Sequence, residues 1–167
     1  MLLERDLALR LRARDLGASG GELGIGHERI EPSEQRPRLD VLAPLAGPDD
    51  LKEAGSLIIV IGGSTKGLGA AGINAEKEMA RVEQLIARAA AQKVPVIGMH
   101  IGGKARRGEL SDGFVELVTP KCAYLMVVKE GDSDGYFTKV MAERKIPGRI
   151  ADKLTDLQEP VKAVYGK

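Results

Sequence analysis

Residues 56–61 read SLIIVI, and this run constrains the chain more than any other stretch. A surface helix or a half-exposed strand would interrupt such a run with polar residues. A continuous apolar run fits a strand covered on both faces, which is the habit of parallel sheets. Two more runs of the same kind follow, VPVIGM at residues 94–99 and AYLMVV at residues 123–128, and a shorter one, IPGRI, lies at residues 146–150. Pro147 in the last run points to a sheet edge, since proline cannot donate to a ladder.

Helical patterns fill the gaps. Asn74 is a good N-cap, and Ala75, Met79, Val82, Leu85, Ile86 and Ala89 form one apolar face of a helix reaching about Gln92. Ser111 is expected to cap a short helix through Phe114, Leu117 and Val118, and Ser133 or Asp134 to open one containing Phe137, Val140 and Met141. A last helix is expected over residues 156–165. LDVLA at residues 39–43 is a short candidate strand, and Pro48, Asp49 and Asp50 suit a helical turn. Strands thus alternate with helices, and the expected fold is α/β: a doubly wound, Rossmann- or flavodoxin-like three-layer sandwich with a mainly parallel sheet of four to five strands.

The first 38 residues are of another character. Residues 1–50 carry seven arginines and no lysine, whereas the rest carries twelve lysines and six arginines. Leu3, Leu7 and Leu11 could line a short amphipathic helix over residues 1–15. Residues 17–38, rich in Gly, Pro, Glu and Arg, read as linker. The expected division is an atypical, poorly ordered extension at 1–38 and a single α/β domain at 39–167.

Charge and hydropathy exclude some partners. The net charge is +1, too small to draw the chain to nucleic acid or a charged membrane. No apolar run is long enough to span a bilayer, and the charged N-terminus lacks the core of a signal peptide, so the expected location is cytoplasmic. An oligomer through the sheet edge near Ile146 is one reading of its assembly. Cys122 cannot pair within the chain and is expected as a buried structural thiol.

In a parallel sheet the loops that follow strands share one edge, where ligands of doubly wound folds bind. Three such loops are expected to meet. The first, residues 62–72, has five glycines, with Ser64, Thr65 and Lys66 among them. Gly62, Gly63, Gly67 and Gly69 would let successive amides turn toward an anion. A long turn that binds nothing is the alternative. The second loop, residues 100–108, brings His100, Gly102, Gly103, Lys104, Arg106 and Arg107. Arginine suits bidentate contact with carboxylate or phosphate, while a solvated turn pairing with Glu109 or Asp112 is the plainer reading. His100 is a general acid or base if the chain is an enzyme, and otherwise a hydrogen-bonded structural histidine. The third loop, residues 129–135, starts with Lys129; its Asp132 and Asp134 are too few to hold a metal ion. No cofactor is specified. The reading is a binding module for an anionic carboxylate or phosphate compound, with an interaction module as a further alternative.

Two resemblances bear on this. VIGGSTKGLG, residues 60–69, resembles the cofactor loop of short-chain dehydrogenases: Gly63, Gly67 and Gly69 match G-x-x-x-G-x-G, and Gly67, Gly69 and Gly72 fit G-x-G-x-x-G. It implies a nucleotide- or NAD(P)-dependent enzyme. The chain departs from that family by having His100 where an acidic residue is expected, and by lacking a Tyr-x-x-x-Lys pair. A longer likeness covers about residues 40–167. VIGGSTKGLGAAGI, VIGMHIGGKARRGELSDGF and LMVVKEGDSDGYFTK, in that order, resemble an uncharacterised bacterial family described only as a domain of unknown function. That resemblance implies an α/β domain focused on these loops and brings no reaction. Members of that family usually begin with a secretion or lipoprotein-type leader, and residues 1–38 show none. This departure leaves open a native start other than Met1 and, with it, an extracytoplasmic location.

Overall fold

The computed structural model describes residues 9–13, 41–43, 45–52 and 54–165. Six strands form one sheet in the order β2-β1-β3-β4-β5-β6, where β1 is Leu9–Ala13, β2 Val41–Ala43, β3 Ala54–Val60, β4 Val96–His100, β5 Tyr124–Val128 and β6 Gly148–Ala151. The four strands from β3 to β6 are parallel, with Leu57 opposite Val96, His100 opposite Val127 and Val128 opposite Ala151. β6 takes the edge, as Pro147 suggested. β1 runs antiparallel to both β2 and β3, so the sheet is one strand larger than the expected four to five.

β1 also corrects the expected helix over residues 1–15. Leu9-Arg10-Leu11-Arg12 alternates with period two, which fits a strand beside β3, and the i, i+4, i+8 leucines do not override it. The remainder of that helix, and the linker at 17–38, lie outside the described residues.

Among the described residues five α-helices join the sheet: α1 Thr65–Ala70, α2 Ala75–Ala91, α3 Glu109–Val118, α4 Tyr136–Arg144 and α5 Gln158–Tyr165. Asn74 caps α2 as expected, its Oδ1 accepting from the Lys77 amide at 2.9 Å. Strands β3 to β6 advance across the sheet in one direction. Right-handed crossovers then place the helices between them on one face. There Val82 and Leu85 of α2, Phe114 and Val115 of α3 and Phe137 of α4 pack on Leu57, Ile59, Leu125 and Val127. On the other face Leu157 and Val161 pack on Ile58, Ile97, Met126 and Val128. With both faces covered, residues pointing to either side of the central runs are buried, Leu57, Ile58 and Ile59 in succession, which is why SLIIVI contains no alternation. This is the doubly wound α/β sandwich.

Three helix starts differ from expectation. Residues 65–70 are helical, so the glycine-rich loop is shorter than its composition suggested, and Ser64 caps it by accepting from the Gly67 amide. α3 begins at Glu109, with Gly108 at its N-cap, which puts Ser111 in the first turn instead of at the cap. α4 begins at Tyr136 after Gly135, a left-handed residue with φ 73°. Its amides are met by Asp132 and Asp134, and not by Ser133. Cys122 precedes β5 and is buried, its thiol donating to the Val118 carbonyl; burial pushes its pKa up to about 12.

Candidate functional site

Because β3, β4 and β5 are parallel, the segments leaving Val60, His100 and Val128 emerge at one edge, and side chains join them. Ser111 Oγ accepts from the Gly63 amide at 3.1 Å and donates to the Gly63 carbonyl at 3.2 Å, fastening the first loop to α3. Arg107 fastens the second loop to the third. Its Nε donates to Asp112 Oδ1 at 2.6 Å, Nη1 to the Gly131 carbonyl at 2.8 Å, and Nη1 and Nη2 to the two carboxylate oxygens of Asp134 at 3.0 and 2.9 Å. The guanidinium also lies 5.5 Å from the Phe137 ring centre and 5.9 Å from that of Tyr136. Burial works against this charge, but the hydrogen bonds to Asp134 and Asp112 outweigh it and hold its pKa above the ordinary arginine value. The same bond holds Asp134 below the usual carboxylate range.

Between the first two loops is an open cleft of about 360 Å³, lined by Gly63–Thr65 on one side and Ala105–Ser111 on the other. Arg106 stands on its wall. The first turn of α3 forms its floor, and the first α-helical bond of that turn runs from the Asp112 amide to the Gly108 carbonyl. The amides of Glu109, Leu110 and Ser111 therefore have no acceptor within the helix. Such a helix end carries a partial positive charge. Glu109, exposed on the same turn, offsets part of it.

His100 ends β4 but does not reach this cleft. Its side chain is 1% exposed. Nδ1 is 3.0 Å from the Ile61 carbonyl, which can only accept, so Nδ1 carries the proton. Nε2 is buried and has no hydrogen-bond partner among the described residues. The ring stacks on Phe137 with centres 5.2 Å apart. Burial lowers its pKa below 6.5, against the opposing effect of the Ile61 bond.

The expected site residues therefore separate. Gly63, Ser64, Thr65, Arg106 and Arg107 line the cleft. Gly62 adjoins it, and Gly67 and Gly69 lie inside α1, one turn past its Ser64 cap. Lys66 and Lys104 are exposed beside the lining residues. Gly102 packs under the Arg106 side chain and Gly103 under Glu130. Lys129 is turned away, pairing with Asp152 at 3.2 Å. Sequence reasoning missed Ser111 as a tie to the first loop and Asp134 as a partner of Arg107, whereas Asp112 is a partner that the plainer reading of the basic loop had offered. A serine two residues after a helix start, and acidic residues flanking an arginine pair, were the available signals.

The long stretch that suggested an uncharacterised family now has its counterpart in a family model, DUF6305, a domain of unknown function, which matches residues 39–165. The chain belongs to this family. No curated protein and no solved structure matches it. The DUF6305 domain spans β2 through α5, so the family match contains the whole parallel sheet and all three loops of the edge. Among the described residues no helix is long and apolar enough to cross a membrane.

Proposed function

We propose that this DUF6305 domain binds an anionic small molecule, a carboxylate or phosphate compound, in the cleft between residues 63–65 and 105–111. The observation that carries the reading is the facing of Arg106 and the open first turn of α3 across the Ser64 and Thr65 hydroxyls. A guanidinium, helical amides that lack an acceptor within α3, and two hydroxyls line it, and groups of all three kinds can donate to an anion. Lys66 and Lys104 add positive field from the rim. Arg107, engaged by two carboxylates and a carbonyl, shapes the wall, its charge offset by Asp112 and Asp134.

A thermal-shift screen against phosphate, nucleotides and small carboxylates tests this. A ligand at about 100 times its dissociation constant adds roughly 2.7 kcal/mol of stability, a rise of several degrees for a domain of this size. Arg106→Ala is expected to weaken the ligand found by about tenfold to a hundredfold, the worth of a charged hydrogen bond of about 1.5–3 kcal/mol. Lys66→Ala is expected to do much less. Equal binding by Arg106→Ala and the parent would exclude this cleft. The nucleotide-dependent alternative asks more of His100, whose covered ring would have to be uncovered before it could touch a substrate.

A further inference from the structure

We infer that His100 is the sensor of an acid-released latch: protonation at its Nε2 frees the turn at residues 129–132 from the end of β4 while the sheet stays folded. The inference does not depend on the cleft holding a ligand. Four observations carry it. The ring is buried, and its Nδ1 proton is committed to Ile61. Nε2 faces no acceptor among the described residues. Gly131 lies directly on that edge of the ring; a Cβ built on it would stand 2.8 Å from Nε2 and 2.5 Å from the Gly102 carbonyl. The turn itself is held from outside by Arg107, through the Gly131 carbonyl and Asp134.

A proton on Nε2 creates a donor in a place with no acceptor and no room for one. The charged groups acting on the ring come from three elements: Arg107 of the second loop, Asp112 of α3 and Asp132 of the turn itself. Asp112 and Asp132 favour the imidazolium. Both are engaged elsewhere, Asp112 with Arg107 and Asp132 with the amides of Phe137 and Thr138. Arg107 opposes it, and the same arginine holds the turn down. From Ile61, just after β3, the ring receives a carbonyl, and from α4 the uncharged face of Phe137. The charged ring is relieved when the turn lifts and water reaches Nε2.

The sign follows from proton linkage. The closed form holds His100 neutral below its ordinary pKa of about 6.5, while the open form releases it to that value. Closed is thus favoured above pH 6.5 and loses ground as pH falls toward the lowered value, by up to about tenfold per pH unit.

Amide hydrogen exchange on the full chain at pH 7.5 and 5.5, corrected for intrinsic rates, reads this directly. Residues 129–135 are expected to exchange several-fold to about tenfold faster at the lower pH, with β5 unchanged. His100→Asn keeps a donor where Nδ1 stands and cannot titrate, and is expected to abolish the difference. Exchange of 129–135 in step with β5 at both pH values, or the same acceleration in His100→Asn, would overturn the latch. Should that variant not fold, NMR titration of the parent carrying His27→Ala, which removes the other histidine of the sequence, decides. The latch requires His100 to titrate below 6.5 together with the Gly131 amide. A Gly131 amide indifferent to that titration would end the idea.

Discussion

Gly62, Gly63 and Gly131 look alike in the sequence and stand in three different environments. A Cβ on Gly62 would meet nothing within 4 Å. One on Gly63 would press on Leu110 and Phe114, and one on Gly131 on the His100 ring and the Gly102 carbonyl. Gly131 has no positive φ, so a side chain there is opposed by contact and not by backbone conformation. Leu110 is flexible enough to give way, but a backbone carbonyl is not. Gly131→Ala is therefore expected to lower stability by about 1–3 kcal/mol, the usual cost of overpacking, and Gly62→Ala to stay within about 0.5 kcal/mol. Urea unfolding of the two variants checks the contrast, and equal midpoints would refute it. Five glycines in one stretch suggested a special loop, and of its residues Gly63, Ser64 and Thr65 line the cleft. Which glycines face it and which merely admit a neighbour depends on α3 and the third loop, distant in the chain and silent in local composition.

At the scale of elements, strands and long helices were legible because their signals are periodic and repeated over many residues. Helix starts were less so, because a cap is decided by one or two contacts. Asp132 shows this at α4. Local pattern favours Ser133 or Asp134, which are nearer the helix. Gly135 in the left-handed region turns the chain so that the Asp132 carboxylate, further back, reaches the Phe137 amide at 2.7 Å and the Thr138 amide at 3.2 Å, as well as the Thr138 hydroxyl. Asp134 reaches the Tyr136 amide at 3.2 Å, with its charge given to Arg107. Asp132→Ala should thus cost about 1–2 kcal/mol, as loss of an N-cap does, whereas Ser133→Ala should cost little. Chemical denaturation distinguishes them; a larger loss in Ser133→Ala would mean that α4 is capped otherwise. Arg107 was read either as a ligand contact or as part of a charged turn pairing with Glu109 or Asp112, and the Asp112 pairing is the one found. Its pairing with Asp134 needed the three-dimensional meeting of two loops.

At the scale of the whole molecule Arg107 and Arg81, among the described residues, tie together segments that the sheet alone would leave apart. Arg107 does so at the loop edge. Arg81 does so on α2, where Nε and Nη2 hold the buried carboxylate of Glu78 and Nη1 donates to the Ala46 carbonyl at 2.5 Å. The apolar face of α2 was plain from its spacing, but a glutamate on the turn beside Met79 reads as solvent-facing. It is buried because the segment ending in Leu51 lies over it, a packing that no helical periodicity contains. Removing one member of such a pair leaves the other charge without its partner, which typically costs about 3–5 kcal/mol, while removing both spares that penalty. Glu78→Ala and Arg81→Ala are each expected to destabilise the fold strongly. The double variant should lose less than the sum, with a coupling on the order of 0.5–3 kcal/mol. Arg81→Ala alone also severs Ala46, so exchange of the Leu51 amide should quicken in that variant more than in Glu78→Ala. Strictly additive losses would mean that the segment before β3 is held by Leu51 and Ala46 packing and that the ion pair is incidental to it.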